Sequence, residues 1–415
     1  MADTSVTAEE RRLIEESTRE KNWKRWGPYL SERQWGTVRE DYSPDGSCWQ
    51  SFPHDHARSR AYRWGEDGIL GITDRECRLC FALSMWNGTD AILKERIFGL
   101  TGPEGNHGED PKELWYYLDS SPTHSYMKGL YKYPQSAFPY GQLVDVNRTK
   151  GKTGEFEILD TDAFKDNNYF DVFAEYAKSS PNDILIRITI HNRASHSSTI
   201  HFLPTLWYRN SWSWGCTHEG CEMRPWMEQK SPNRVVMEHV SLGAWRLDIE
   251  PVAGAAVPEL LFTNNETNTK KLWGGGDSPK HAKDAFNDYV IHGKADAVNP
   301  KRTGTKMAPH YILDIPARES VIVRLRLASE AEATDTPFGK DFDRVFAKRI
   351  EETEEFYASK IPSVLDDEQR RLARQSYAGL LWSKQFYHYV VKDWLEGDPA
   401  GPEPPPGRQR NADWS

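Results

Sequence analysis

The sequence has 415 residues, of which 38% are hydrophobic and 28% are charged, and its formal net charge is −9. These proportions are typical of a globular protein with a sizeable core, and the acidic balance excludes the concentrated basic face that nucleic-acid binding needs. The 16 Trp and 18 Tyr residues fit a protein with broad aromatic surfaces, used either for sugars or for contacts between domains.

The start of the chain and its apolar runs predict a cytoplasmic protein. Met1 is not followed by a basic segment and an apolar core, so we expect no signal peptide. We find no apolar run long enough to cross a bilayer, and therefore expect no membrane contact. Five Cys residues are an odd and sparse set, which favours reduced thiols.

The first predicted element is a helix near the N-terminus. Thr7 and Glu10 form a capping-box pattern, and the helix is expected to run to about Trp23. It is mostly polar, so we expect it to lie on the surface with Leu13 and Ile14 as its main apolar contacts.

From about residue 35 to 330 the pattern is that of strands separated by turn residues. The clearest strand is 183–193, where Ile184, Ile186, Ile188 and Ile190 share one face, and 320–327 repeats the alternation. Weaker strands are predicted at 79–86, 170–176, 199–208, 234–240, 245–249, 260–264 and 311–315. The aromatic segment 120–140 is interpreted as an ordered loop. Many strands with few helices between them predict antiparallel sheets stacked on each other.

After Pro337 the periodicity becomes helical. Phe342, Val345, Phe346 and Ile350 recur on one side of a helix that ends before Pro362. A second helix is predicted from Asp366 to about Glu396. Its segment 377–395 is apolar over well over half of its circumference, so it is expected to be buried. Because a Pro- and Gly-rich tail follows, we expect it to pack on something outside this chain.

A candidate sugar site begins at Trp35. If residues 35–42 form a strand, then Trp35, Thr37, Arg39 and Asp41 lie on one face. A flat aromatic ring beside charged hydrogen-bonding groups suits a polyhydroxylated ring. The alternative is that Arg39 and Asp41 form a structural ion pair on a sheet.

Further candidates for contact with a sugar are His54, His56 and Glu66. On a strand the two imidazoles would share a face and could serve one metal ion, but spacing identifies no third ligand. We therefore expect no metal and no cofactor. Glu66 lies beside Gly65 in a predicted turn, where carboxylates are more often turn formers or ion-pair partners than catalytic groups.

Several long stretches resemble bacterial proteins of glycoside hydrolase family 63, the mannosyl-oligosaccharide glucosidase-like family. The matching stretches are 24–43, 54–68, 93–101, 105–110, 122–128 and 203–207. The resemblance implies a mainly β fold, a large antiparallel β super-sandwich of the galactose-mutarotase-like type. In the family this domain precedes a catalytic (α/α)6 barrel of six helix pairs.

The resemblance also implies a division of the chain. Residues 1–34 would be an N-terminal helix and lead-in, 35–337 the super-sandwich, and 338–362 a linker helix. Residues 363–415 would hold the first helix of an incomplete barrel and a Pro-rich tail. The family's general acid (an Asp) and general base (a Glu) lie further along the barrel, and no position here matches them. We therefore expect no catalytic residue in this chain, and inactivity of the chain alone.

Three functions remain open. The first is the N-terminal part of an inverting α-glucosidase acting on glucose-containing oligosaccharides, completed by its barrel or by a second chain packed on 377–395. The second is a stand-alone carbohydrate-binding β-sandwich. The third is an aldose epimerase-like enzyme, in which His54 or His56 would work with Glu66. The apolar helix favours the first, because neither alternative needs it.

Overall fold

The computed structural model describes residues 6–29, 54–66, 68–100, 110–150, 153–217, 220–275, 278–384, 390–400, 403–404 and 413. Antiparallel strands dominate these residues, and helices lie at both ends and on the outer faces. The strands are β1 (Trp26–Tyr29), β2 (Ile69–Asp74), β3 (Leu79–Trp86), β4 (Gly99–Leu100), β5 (Asp110–Pro111), β6 (Trp115–Ser120), β7 (Tyr126–Pro134), β8 (Tyr169–Ser180), β9 (Asp183–Asn192), β10 (Ser198–Tyr208), β11 (Trp226–Ser231), β12 (Arg234–His239), β13 (Gly243–Ile249), β14 (Glu259–Thr263), β15 (Thr303–Gly304), β16 (Lys306–Ile315) and β17 (Ser320–Ser329). The α-helices are α1 (Ala8–Ser17), α2 (His54–Ala57), α3 (Tyr140–Lys150), α4 (Thr269–Trp273), α5 (Ala285–His292), α6 (Lys340–Ala358), α7 (Asp367–Trp382) and α8 (Val391–Glu396).

Two large sheets form the body of the protein. The six-stranded sheet has the order β1-β2-β3-β10-β16-β14, and the nine-stranded sheet has the order β15-β11-β12-β13-β17-β9-β8-β7-β6. Every neighbouring pair in both sheets is antiparallel. The prediction of a mainly β protein with stacked antiparallel sheets is confirmed, and the nine strands predicted from alternation in the described residues are all present. None of the helices that the structure describes is long and apolar enough to cross a membrane.

The main core lies between the two sheets. Strand β9 shows why: Ile186 and Ile188 are fully buried in the core, and they pair with Leu325 and Val323 of β17 in register. Trp26 of β1 packs on Trp245 of β13 with ring centroids 5.1 Å apart, which joins the two sheets across the core. Burying each such side chain contributes about 1.5–3 kcal/mol, so alternation along the strands fixes the register.

Helix α6 covers the outer face of the nine-stranded sheet, as its periodicity predicts. Phe342, Val345 and Phe346 are buried against residues of β7, β8 and β9, including Leu185. Leu185 points away from the sandwich core because it alternates with the isoleucines of β9. The linker helix predicted from the sequence therefore packs on the sandwich through the apolar face that its sequence indicates.

The interpretation of 120–140 as a loop was wrong. Residues 126–134 form β7, which pairs along its whole length with β8, from Tyr126 opposite Ala177 to Pro134 opposite Tyr169. Hydrogen bonding to a strand that is distant in sequence stabilises the extended backbone of β7, which the local sequence does not predict. Gly129 fits closely against Leu70, since a Cβ atom there would lie 2.7 Å from Leu70 Cδ2 and would displace that side chain.

Helix α1 has the predicted capping box but ends at Ser17, and its buried residues are not the predicted ones. Glu9 and Arg12 are buried, whereas Ile14 is 52% exposed. The Glu9 carboxylate accepts hydrogen bonds from Thr123 N at 2.6 Å and Ser125 Oγ at 2.8 Å. The helix therefore docks through hydrogen bonds and charge rather than through apolar contacts.

Ion pairs extend this contact to helix α6. Arg12 lies 2.8 Å from both Glu9 and Glu352, and Arg349 lies 2.6 Å from Glu352. Lys178 Nζ donates to the carbonyls of Trp23, Trp26 and Thr123. We call the five charged residues Glu9, Arg12, Lys178, Arg349 and Glu352 the Glu9 network. It links α1, β8 and α6 in one buried set of contacts.

A single continuous helix from 366 to 396 was a wrong prediction. Helix α7 ends at Trp382 with Ser383 as its C-cap, and α8 begins at Val391 after an extended Val390. The chain itself buries part of the apolar segment. Trp382 is fully buried and stacks on Tyr117 of β6 at 4.9 Å. Helix α7 thus closes the edge of the sandwich, although Leu380 on its other side remains exposed.

The chain crosses from one sheet to the other at Gly304 and Thr305. Gly304 pairs with Met227 in the nine-stranded sheet, and Lys306, two residues later, pairs with Thr263 in the six-stranded sheet. A Cβ atom on Gly304 would lie 2.1 Å from the Thr263 carbonyl oxygen, so a side chain does not fit at this crossing.

Candidate functional site

A charged cavity lies on the outer face of the six-stranded sheet. Alternation along the strands directs Ser84 of β3, Thr205 and Trp207 of β10 and Lys306 of β16 away from the core. The segment around Glu66 and the residues before and after β14 cover them. We call this space the Glu66 cavity. Its lining residues are Ala57, Arg58, Glu66, Ala82, Ser84, Glu95, Arg96, Thr205, Trp207, Lys283 and Lys306.

Glu66 is held by residues that are distant in sequence. One carboxylate oxygen, Oε2, lies 3.2 Å from Lys283 Nζ, and the other, Oε1, accepts a hydrogen bond from Asn265 Nδ2 at 2.6 Å. The backbone N–H of Glu66 donates to the Tyr29 hydroxyl. Lys283 also donates to the carbonyls of Ala57 and Arg60. These bonds fix the segment that contains Glu66 against β1 and the end of β14.

A second acid–lysine pair lies beside the first. Lys306 Nζ is 3.0 Å from Glu95 Oε2, and it donates to the Lys283 carbonyl at 3.1 Å. The two pairs are therefore joined, and all four side chains are buried or nearly so. A buried charge is tolerated when it is paired and hydrogen-bonded, which is the case for both carboxylates.

The environment of Glu66 shifts its protonation equilibrium toward the neutral form. Burial raises the pKa of Glu66, and the charge of Lys283 and the hydrogen bond from Asn265 oppose this shift. A carboxyl group with a raised pKa keeps its proton to a higher pH than an ordinary carboxyl group and is the better candidate for a proton donor. However, the cavity volume is about 20 Å³. Such a volume holds water molecules but not a sugar ring, so the chemistry available to Glu66 here is exchange with water.

Two buried groups that line the cavity lack hydrogen-bond partners among the described residues. They are Arg58 Nε and Trp207 Nε1. Arg58 is otherwise engaged, because its Nη1 donates to Asn287 Oδ1 at 3.1 Å. Ser84 and Thr205 hydroxyls lie 3.0 Å apart on the cavity wall. Water in the cavity would satisfy the unpaired N–H groups, which is consistent with its size.

Only one of the six predicted site residues lines the Glu66 cavity in the described part of the chain. Trp35, Arg39 and Asp41 lie outside the described residues, so the predicted sugar-binding face stays a prediction. Glu66 lines the cavity, whereas His54 and His56 do not line it.

Residues 54–57 form the one-turn helix α2, not the strand on which the two imidazoles would share a face. The His54 ring packs edge-on against Phe98 at 5.2 Å and lies 5.7 Å from the Tyr140 ring. The shared strand face on which a two-histidine ion site depends is therefore absent. Within the described residues, no group of three or more His, Cys, Asp or Glu side chains is arranged to hold a metal ion.

Sequence reasoning missed the basic half of the cavity, Arg58, Lys283 and Lys306, and the amide of Asn265. Lys306 carries a weak local signal, since it is a charged residue directly before the apolar residues Met307 and Ala308 of its strand. Lys283 carries none, because its partner Glu66 is more than two hundred residues away in sequence and the two meet only through the sheet pairing.

No protein-family model matches the chain. The chain is similar to the uncharacterized protein YMR196W of Saccharomyces cerevisiae, with 43% identity over 449 aligned residues. The alignment covers 98% of this chain and 41% of the yeast protein. The chain therefore spans about two fifths of the length of this curated relative.

Among solved structures, a polysaccharide lyase aligns with 67% of this chain and 28% of its own, at 9% identity and a TM-score of 0.30. The Putative aldose 1-epimerase of Escherichia coli K12 aligns with 54% of this chain and 69% of its own, at 10% identity and a TM-score of 0.25. The Putative kojibiose phosphorylase from human microbiome aligns with 86% of this chain and 38% of its own, at 9% identity and a TM-score of 0.26. The fold described above rests on the sheet topology of this chain itself.

Proposed function

We propose that this chain is the β-sandwich part of a carbohydrate-processing enzyme, an inverting α-glucosidase similar to glycoside hydrolase family 63. The observation that carries the proposal is the order of parts: a two-sheet antiparallel sandwich, then helix α6 on its outer face, then helix α7 across its edge. This is the order in the family that the sequence stretches 24–43 and 54–68 resemble. The sandwich would then be of the galactose-mutarotase-like type.

We further propose that the catalytic carboxylates lie outside this chain. Inverting hydrolysis needs two carboxyl groups about 6.5–9.5 Å apart with a sugar between them. The carboxylates that line cavities in the described residues each have another engagement. Glu66 pairs with Lys283, Glu95 with Lys306 and Asp393 with Arg63, and Asp74 accepts three backbone hydrogen bonds. None of them faces a second carboxylate across a space that admits a sugar.

The exposed face of helix α7 supports a partner for this chain. Leu372 and Leu380 are 59% and 71% exposed on the side opposite the buried Ala378. The yeast relative is more than twice as long as the part aligned here. We propose that further helices of a barrel, in the same polypeptide or in a second chain, pack on this face.

Activity measurements test the proposal. The chain and the full-length yeast relative would each be assayed with 4-nitrophenyl α-glucoside and with glucose-containing oligosaccharides. The expected result is turnover by the full-length protein and none by the chain. Failure of the full-length protein to hydrolyse any α-glucoside would overturn the assignment of the activity.

Turnover by the chain alone would overturn the placement of the carboxylates. In that event the variant Glu66→Gln identifies the source, since loss of turnover would assign the acid to the Glu66 cavity. Tight binding of oligosaccharides by the chain, measured by calorimetry, together with an inactive full-length protein would instead favour a carbohydrate-binding module.

A further inference from the structure

A second and larger cavity lies at the edge of the sandwich, between β1, the end of β2 and the C-terminal end of α7. Its volume is about 280 Å³, which is close to the lower limit for small-molecule sites. We call it the His124 cavity. The lining residues that bear on its chemistry are Lys24, Thr73, Asp74, Arg75, His124 and Lys384.

The charges around the His124 cavity leave an excess of positive charge. Lys24 and Lys384 form no ion pair with any residue that the structure describes. Arg75 is compensated, since its Nη2 lies 2.9 Å from Glu16 Oε1. Asp74 is the carboxylate in the lining of the cavity. Its oxygens accept hydrogen bonds from the turn that follows β2.

Three backbone N–H groups donate to the Asp74 carboxylate, those of Glu76, Arg78 and Leu79, at 3.0, 2.7 and 2.8 Å. Burial raises the pKa of Asp74, and these hydrogen bonds oppose that shift. Its oxygens therefore bond to the turn, and Asp74 forms no ion pair with Lys24 or Lys384. Among the described residues, both ammonium groups are left without a carboxylate partner.

His124 adds a polar group to the floor of the cavity. It is 7% exposed, and its backbone has a positive φ of 55°, which is uncommon for a residue other than glycine. Its Nδ1 lies 3.3 Å from Ser120 Oγ, whereas Nε2 has no hydrogen-bond partner among the described residues. Gly27 lets β1 pass over the ring, because a Cβ atom there would lie 3.1 Å from His124 Cδ2.

The imidazole is neutral at pH 7. Burial, and then the charges of Lys178, Lys24 and Lys384, lower the pKa of His124 to about 3. A neutral imidazole with one nitrogen on Ser120 leaves the other nitrogen to hydrogen-bond a ligand. The cavity thus combines two lysines that have no ion-pair partner in the described part of the chain with a fixed polar group, His124.

We propose that the His124 cavity binds a small hydroxylated molecule that carries a phosphate or carboxylate group, such as a sugar phosphate or a sugar acid. The anionic group pairs with Lys24 and Lys384, because charge-assisted hydrogen bonds to ammonium groups are the strongest contacts available there. A hydroxyl group contacts His124. The choice of a sugar as the ligand's scaffold rests on the proposed function, whereas the choice of an anion rests on the charges alone.

Calorimetry on the chain tests this site with glucose 6-phosphate, glucuronate, inorganic phosphate and glucose as separate probes. At least one sugar anion is expected to bind, and glucose is not. Lys24→Gln and Lys384→Gln are each expected to weaken binding about tenfold, and added salt to weaken it further. The matched control is Lys230→Gln, an exposed lysine on β11 away from the cavity.

NMR of the histidine rings gives a second readout. The expected result is a shift of one imidazole signal on addition of the anion, and loss of that signal in His124→Gln. The proposal is overturned if no anion binds, if glucose binds as tightly as the anions, or if the two lysine variants bind like the control. Each of these results is independent of hydrolysis, so it is distinguishable from failure of the proposed function.

Discussion

The two outer faces of the sandwich both carry buried charges, but they handle them in opposite ways. On the nine-stranded sheet a helix covers the charges, and every member of the Glu9 network has close partners. On the six-stranded sheet irregular segments cover them, and water-sized space remains beside Glu66. The comparison shows that the segment packed over a buried charge determines whether the charge is fully enclosed by protein or borders a water-sized cavity.

The pKa shifts of two buried glutamates express this difference. Burial alone would raise the pKa of Glu9, but Arg12 and the hydrogen bonds from Thr123 outweigh it and lower the pKa below the ordinary value. For Glu66 burial prevails over Lys283, and the pKa is raised. The folded protein therefore stabilises the ionised form of Glu9 and the neutral form of Glu66. Four substitutions test this contrast and the packing of the elements that cover the two sheets.

The largest effect is expected for Trp382→Ala, which removes the residue that holds α7 on the edge of the nine-stranded sheet. The change deletes the stack on Tyr117 and the hydrogen bond from Trp382 Nε1 to the Asp119 carbonyl at 2.9 Å. We expect a loss of about 3–5 kcal/mol in the free energy of unfolding, measured with urea. Leu380→Ala, on the exposed side of the same helix, is the control and is expected to change stability by about 0.5 kcal/mol or less. Equal effects would mean that α7 does not dock as described.

Glu9→Gln is expected to cost about 2–4 kcal/mol at pH 7, because the buried Arg12 keeps only Glu352 as a carboxylate partner and the hydrogen bonds from Thr123 and Ser125 lose a charged acceptor. The lowered pKa fixes the sign of the pH dependence. The contribution of Glu9 is present above its ordinary pKa of 4.5 and is lost as the pH falls through its lower folded value. Urea unfolding of the protein and the variant at pH 7 and below pH 4 measures the cost of the substitution and its pH dependence. Glu20→Gln, an exposed residue after α1, serves as control, and a loss below about 1 kcal/mol for Glu9→Gln would contradict the network's role.

His310 tests the six-stranded side. It lies on the outer face, with its Nε2 2.8 Å from His201 Nδ1. Burial, with a contribution from His201, lowers the pKa of His310 from 6.5 to about 4. The unfolded chain therefore binds more protons in that interval, and stability falls as the pH drops through it. We expect a loss of about 1–2 kcal/mol between pH 7 and pH 5.

Urea unfolding of His310→Gln at both pH values checks this expectation. The variant is expected to lack the His310 component of the pH dependence, and His196→Gln, at an exposed position, is expected to keep it. Hydrogen exchange at pH 5 would locate the loss, since β14 and β16 are expected to lose protection before β8 and β9. The reverse order would contradict the comparison of the two faces.

The smallest effect is expected for Glu66→Gln. Glutamine resembles the neutral form toward which burial shifts Glu66, so we expect stability at pH 7 to change by about 1 kcal/mol or less in either direction. Measured beside Glu9→Gln with the same method, it compares the two faces with one chemical change. A loss above about 2 kcal/mol would mean that the pairing with Lys283 outweighs burial.

Local pattern predicted the regular part of the fold well. The isoleucines of β9 and the apolar residues of α6 follow the periods of a strand and a helix, and both elements form as expected. The sequence did not predict β7, because its Gly and aromatic residues resemble those of a loop and its partner strand lies about forty residues away.

The candidate site was harder to predict for a physical reason. Glu66 was selected, but its partners Lys283 and Asn265 are brought near only by the pairing of the six-stranded sheet. The buried face of α1 was missed for the same reason: Glu9 is polar, and its burial depends on Thr123 and Ser125. Contacts between distant polar residues leave no period in the sequence.

The crossing at Gly304 has a consequence for how the molecule comes apart. Gly304 belongs to the nine-stranded sheet, and Lys306, two residues later, belongs to the six-stranded sheet. Separating the two sheets therefore strains the close contact between Gly304 and Thr263. The crossing at Gly304 therefore connects the two sheets covalently and by close packing, and a force applied to one sheet is transmitted to the other.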